Sequence, residues 1–176
     1  MKKSMPWIRC AGFLVGLAVI LGICDFCFAP SGYVRFILHE VNRKDTQYDT
    51  IILGASHARS KINPEYLDEE LGTNTLNLAI PGETVKDAYY LLKDACESND
   101  VKTVIMDVDY QYWMDEQPQG YFTEPFICQN ITNLKVKTEY LLDNWDTIDL
   151  RNVLVRRLSW DCTWSSVKQN VSTKMT

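Results

Sequence analysis

Asp49-Thr50-Ile51-Ile52-Leu53-Gly54-Ala55-Ser56-His57 is the stretch on which the reading of the chain turns. Its first half is a short aliphatic, β-branched run that stops at a glycine, the pattern of a strand buried on both faces. Its second half gathers small residues around a hydroxyl. Further along, Asn63-Pro64-Glu65 reads as a helix start. Asn63 caps, Pro64 suits the first helical position, and Glu65 favours the positive end of the helix dipole. Tyr66, Leu67 and Leu71 are expected to form that helix's apolar face, and Gly72 to end it. Thr75-Leu76-Asn77-Leu78-Ala79-Ile80 reads as a second strand, broken by Pro81-Gly82. Thr84 caps a further helix with apolar positions at Val85, Ala88, Tyr89, Leu92 and Cys96, and residues 101–108 form a third strand.

Strand, helix, strand, helix, strand at this spacing predicts a parallel sheet with helices on its faces. Ligands of such sheets bind beyond the carboxyl ends of the strands. Residues 54–59, 77–84 and 107–113 are therefore expected to converge. After Trp113 the pattern loosens. Residues 115–125, with Pro118, Gly120 and Pro125, read as a surface loop, and residues 133–142 and 147–158 as helices. Residues 170–176 are polar and show no closing element. Asn130-Ile131-Thr132 and Asn170-Val171-Ser172 match glycosylation sequons, a pattern short enough to arise by chance.

The chain has 176 residues, 46% apolar and 23% charged, which fits one globular domain plus a short targeting segment and excludes disorder. Residues 1–31 carry +2 (Lys2, Lys3 and Arg9 against Asp25) of a net charge of −5, leaving −7 on the rest. An acidic body gives no electrostatic reason to bind nucleic acid. Cys10, Cys24 and Cys27 lie in or beside the apolar N-terminal segment; Cys96, Cys128 and Cys162 are far apart in the body. With two histidines, His39 and His57, the sequence shows neither a zinc site nor a disulfide framework, and no metal or cofactor is expected.

The uncharged run from Ala11 to Cys24 has 14 residues; counted through Ala29, past Asp25, it has 19. That is close to the roughly 20 needed to cross a bilayer core. The basic residues before it predict an N-in, C-out anchor. The alternatives are a cleaved signal peptide, against which Pro30 stands at the cleavage position, and an ordinary buried helix.

A serine hydroxyl becomes a nucleophile when a tight turn exposes it, a base takes its proton and donors receive the oxyanion. Gly54-Ala55-Ser56 after a buried strand offers such a turn, although a plain strand-to-loop turn has the same composition. The segment from Asn77 to Thr84 adds the form Asn, four residues, Gly, one residue, Thr. With the Gly-x-Ser-His turn, the Asn-Pro helix start and Leu-Asn-Leu-Ala-x-Pro-Gly, residues 48–113 resemble the N-terminal half of an SGNH/GDSL-type hydrolase domain. The resemblance is to membrane-anchored bacterial members that occur with cell-envelope polymer acylation.

The resemblance implies a three-layer α/β/α fold with a parallel sheet, flavodoxin-like and incomplete here, preceded by one transmembrane helix. Residues 1–30 would be the anchor or signal and residues 45–176 a partial hydrolase-like domain. Ser56 is then the nucleophile, and the amides of Ser56 and Gly82 are the oxyanion donors. The implied partners are an acylated or acyl-accepting carbohydrate polymer, the membrane, and a membrane acyl-transfer partner.

Three departures accompany it. Ala55 stands where the family has Asp. Asp107-Val108-Asp109 stands where it has Gly-x-Asn. No Asp-x-x-His follows His57. These departures point to the front part of a longer protein, or to a non-catalytic form that binds a glycan or a partner. His57, Asn77, Asp107 and Asp109 remain candidates for pocket or acid/base work. Asp107 and Asp109 share a strand face, as a proton-handling or cation-holding pair or as a solvated strand end. Arg59 and Lys61 either hold an anionic group or are plain surface charges. Tyr110, Tyr112 and Trp113 either wall a pocket or cover the sheet edge.

Overall fold

The computed structural model describes residues 6–29, 32–108, 123–148 and 162–175. Strand β1 (Thr50–Leu53) runs through the middle of a three-stranded parallel sheet, with β2 (Thr75–Asn77) on one side and β3 (Thr103–Met106) on the other. Ile51 is in register with Leu76 and Val104, and Leu53 with Met106. The helices are α1 (Pro6–Phe28), α2 (Tyr33–Glu40), α3 (Ser56–Lys61), α4 (Pro64–Leu71), α5 (Val85–Ser98), α6 (Thr123–Asn130), α7 (Leu134–Asp143) and α8 (Trp164–Met175). The chain divides into two compact units, one of residues 33–154 and one of residues 1–32 with 155–176.

In the sheet-bearing unit, successive residues of β1 serve opposite faces. Ile51 and Leu53 join Leu38, Val41, Ala88, Leu91, Ile127 and Tyr140 in the larger core. Ile52 meets Ala58 and Ala79 on the other face, with Ile62, Leu67 and Ile105 packed around them. Helices thus flank the sheet, and the α/β reading and its three strands hold. The strands are shorter than their apolar runs: residues 78–80 and 107–108 leave the sheet although Leu78, Ala79 and Ile80 stay buried.

The α4 start follows the sequence closely. The Asn63 side chain accepts from the Glu65 N–H, Pro64 opens the helix, and Gly72 ends it at φ 66°, the left-handed conformation glycine adopts at no steric cost. Its expected apolar face is only partly used. Leu67 packs against the sheet, but Tyr66 and Leu71 are exposed. Thr84 caps α5 through a reciprocal box. Its hydroxyl accepts from the Asp87 N–H at 3.1 Å, and Asp87 Oδ2 accepts from the Thr84 N–H at 2.9 Å.

The buried face of α5 is rotated from the expected one. Ala88 is on it, with Tyr90, Leu91 and Ala95, while Val85, Tyr89 and Cys96 are exposed. The reason is that two acids share the buried face with their oxygens satisfied. Asp87 Oδ1 accepts from the Tyr140 hydroxyl of α7 at 2.6 Å. Asp94 accepts from the Asn42 side chain and from the Asn133 N–H.

Asn133 caps α7, close to the expected start. Helix α6 already begins at Thr123, inside the loop expected over residues 115–125. The rest of that loop, Asp109, Tyr110, Tyr112, Trp113 and residues 149–158 of the expected later helix lie outside the described residues.

In the other unit, α1 has 23 residues, about 34 Å at 1.5 Å per residue, enough for a bilayer core. From Trp7 to Phe28 it is apolar enough to cross a membrane, and residues 7–20 are all exposed, so it is not the buried core helix of the third alternative. It remains consistent with a signal anchor or a signal sequence. The polar residues 164–175 form a helix in this unit. Helix α8 packs on α1, and Lys174 Nζ donates to the carbonyls of Phe26 (2.8 Å) and Ala29 (2.6 Å). A cation there satisfies orphan carbonyls and complements the negative end of the helix dipole. Both sequon asparagines are buried, with their side-chain amides donating to Phe126 O and Cys27 O, which argues against a glycan on either.

Burial raises the carboxyls of Asp87 and Asp94 above their usual range. A proton then binds the folded state more tightly than the unfolded chain. Their stabilising contribution is fullest below the unfolded carboxylate range of about 4 and is lost as pH rises through the raised value. Thermal unfolding at about pH 5 and about pH 7.5 tests this. Wild type is expected to gain more, or lose less, on acidification than Asp94→Asn; identical pH profiles would refute it.

Candidate active site

The three strand ends meet at one rim. Gly54 follows β1 with φ 147°, and its N–H donates to Glu83 Oε1 at 3.0 Å. The Ile80 N–H, in the exit from β2, donates to Glu83 Oε2 at 2.9 Å. Glu83 is only 6% exposed, so one buried carboxyl group ties the two exits together. The exit from β3 closes on the same glycine. A Cβ on Gly54 would lie 2.7 Å from Ala58 Cβ and 2.9 Å from Asp107 Cβ. Residues 54–59, 77–84 and Asp107 therefore converge as the topology predicts.

Ser56 opens α3 and is exposed, while Ala55 before it and Ala58 after it are buried. The pairing of a buried small residue at each side with an outward hydroxyl follows from the strand-to-helix turn. His57 is also exposed. As the next residue on the helix it points roughly 100° away around the axis, so the two side chains do not face each other. Gly82 is half-buried with φ 79°, in the turn that carries Glu83.

Asn77 is buried and acts as a joint. Its Nδ2 donates to the carbonyls of Ala58 (3.1 Å) and Ile62 (3.3 Å), and its Oδ1 accepts from the Ala79 N–H. It holds the end of α3 against β2 and has no side-chain atom left for proton transfer. Asp107 is half-buried just beyond β3, its N–H donating to Leu53 O at 3.0 Å. Its suggested partner Asp109 lies outside the described residues.

Two contributors were not singled out in the sequence. Glu83 reads as one more polar residue of a turn; its only signal is a carboxylate directly after the Pro-Gly break. Tyr33 lies 23 residues before Ser56 in an unassigned segment. Its hydroxyl donates to Asn77 O at 3.1 Å, and the Arg59 guanidinium carbon sits 3.9 Å above its ring. Burial pushes the Tyr33 hydroxyl above its usual range; the Arg59 charge opposes that shift and the Glu83 charge adds to it. Among the described residues, no cluster of three or more His, Cys, Asp or Glu converges to hold a metal.

Comparison of the chain with protein-family models, with curated proteins and with solved structures finds no match.

The rim geometry makes two substitutions informative. In Glu83→Gln an amide NH2 must face a backbone N–H, so one buried donor loses its acceptor, at a cost of about 1–3 kcal/mol. Gly54→Ala combines a disfavoured φ with two sub-contact approaches and is expected to cost about 3 kcal/mol or more. Denaturant unfolding of the detergent-solubilised chain measures both. Losses below about 0.5 kcal/mol, the range of neutral surface changes, would show that the rim is not held this way.

Proposed function

We propose that the chain is an SGNH/GDSL-like serine esterase or O-acyltransferase acting on acyl esters of a cell-envelope polysaccharide. Ser56 is its nucleophile, and the Ser56 and Gly82 amides receive the oxyanion. The observation that carries this reading is the position of Ser56. It is an exposed hydroxyl two residues past a sharp glycine turn, at the carboxyl end of a buried parallel strand, with the turn fixed by a buried carboxyl group. A rigid strand-to-helix turn of this kind presents a hydroxyl without strain at the moment of attack. In the reaction Ser56 Oγ attacks the ester carbonyl, the alcohol leaves, and the acyl-serine passes its acyl group to water or to a sugar hydroxyl. Helix α1 serves as an N-in anchor holding the body on the extracytoplasmic side, in reach of an envelope polymer and of a membrane acyl-transfer partner.

A second reading has its own support. The sequence holds no histidine after His57, and Asp109 stands where the resemblance puts the oxyanion-donating asparagine; a carboxylate there repels an oxyanion. Those two facts favour a non-catalytic member of the same fold that binds a glycan or a partner.

Fluorophosphonate labelling separates the two. On the esterase reading the detergent-solubilised full chain is labelled at Ser56, and Ser56→Ala removes at least nine-tenths of the label, in keeping with loss of the nucleophile. Absence of label on a folded chain sinks the esterase reading.

A further inference from the structure

We propose that Arg59, braced on Tyr33, is the element that recognises an oxyanion, a carboxylate or phosphate, carried by the ester substrate. This rests on the esterase reading for the word substrate; the anion site itself rests on geometry alone.

Arg59 is held from below. Its guanidinium carbon lies 3.9 Å over the centre of the Tyr33 ring, a cation–π contact. Tyr33 is in turn pinned by its hydrogen bond to Asn77 O, on the strand that also carries the rim turn. A long surface side chain ordinarily loses much rotamer entropy on engaging a ligand. Here part of that ordering is already present.

Among the described residues, the guanidinium also has no carboxylate partner. Some other cations of this unit pair with carboxylates, Arg43 with Glu40 and Asp45 and Lys93 with Glu139. Among the described residues, no carboxylate lies within ion-pair distance of Arg59, although residues 32–176 carry −7. The nearest acid that influences the Tyr33 hydroxyl, Glu83, has both oxygens turned to the Gly54 and Ile80 amides. An exposed, braced guanidinium matches the two oxygens of a carboxylate or phosphate.

Arg59 stands three residues after Ser56 on α3. Residues so spaced share a helix face, with Cβ atoms about 5–6 Å apart. The base of the Arg59 side chain therefore lies within one helical turn of Ser56. The substrate so selected is an acyl ester with an anionic group close to the scissile bond. Lys61 is on the same short helix but has no ring beneath it among the described residues.

Two fluorophosphonates test this, one with a neutral alkyl tail and one with a carboxylate-ended tail. The readout is the ratio of their labelling rates on the full chain in detergent. Wild type is expected to favour the anionic probe by about tenfold, with the preference shrinking as salt rises. Arg59→Gln and Tyr33→Ala should abolish the preference, Tyr33→Phe should retain most of it, and Lys61→Gln should leave it in place. A preference that survives Arg59→Gln, or that disappears in Lys61→Gln, overturns the inference.

Titration of the same proteins with methyl phosphate and with acetate by calorimetry reads the anion site without any reaction. Weaker binding in Arg59→Gln supports the site, and the better-bound anion identifies which group it takes. Equal binding, or none, overturns it. Absence of label with Arg59-dependent anion binding intact would sink the esterase reading and keep the anion site.

Discussion

The working edge of the sheet depends on two hydrogen bonds to one buried carboxyl group. Where β1 and β2 end, the ladder no longer satisfies the Gly54 and Ile80 N–H groups. Buried donors left without acceptors would cost free energy comparable to the bonds themselves. Glu83 accepts both, one oxygen to each exit. Because Glu83 belongs to the turn after β2, it converts two separate strand ends into one rigid rim. That rim fixes Gly54 in a conformation side chains rarely adopt, and this lets Ala58 and Asp107 close on its missing Cβ. The direction in which Ser56 leaves the sheet is inherited from that contact.

Helix α3 illustrates the same dependence. Six residues without a side-chain N-cap do not make a stable helix alone. Ala58 plugs it into the sheet face beside Ile52, and the Asn77 amide takes up the carbonyls of Ala58 and Ile62 at its far end. On the opposite face the large helix α5 is oriented by buried polar groups as much as by apolar ones. Asp87 links it to α7, and Asp94 links it to the α2 exit and the α7 cap. Asn99, at its end, accepts from the Tyr48 N–H and donates to Val41 O, fixing the entry to β1. Both ends of the central strand are thus held by side chains from α5 or its flanking turns.

What the sequence made legible follows from this division. Strand cores, helix caps and the meeting of three strand ends rest on local chemistry and connection rules, and Asn63, Pro64, Gly72 and Thr84 act as their residue types suggest. The buried face of α5 was not legible. Hydropathy places acids outside, and only the tertiary partners Tyr140, Asn42 and Asn133 make Asp87 and Asp94 acceptable inside. The exposure of Tyr66 and Leu71 was equally hidden, since α4 covers too little of the sheet to use a full apolar stripe. Ser56 was visible because its turn is contiguous in sequence. Tyr33 and Glu83 were not, because their roles exist only through residues 44 and 29 positions away. Helix α8 was missed for a related reason: its polar sequence lacks an apolar stripe, and it is held partly by donors directed at the carbonyls that end α1.

The electrostatics of the rim follow from where its charges are spent. Glu83 is a buried carboxyl group at the Ser56 turn, and its oxygens accept from the Gly54 and Ile80 backbone donors. Arg59 faces outward over an aromatic face. The ring beneath it supplies the brace, and the Tyr33 hydroxyl adds an anchor through its proton, which makes the bond to Asn77 O. Burial and the Glu83 charge raise that hydroxyl from an ordinary value already near 10, and the Arg59 charge only partly offsets them. The proton therefore stays in place throughout the neutral range, and with it the anchor to Asn77 O. The acidic body repels anions at a distance, whereas the braced guanidinium attracts them at contact range. An anion that engages this rim is accordingly selected by geometry within the last few ångströms, not gathered from afar by net charge.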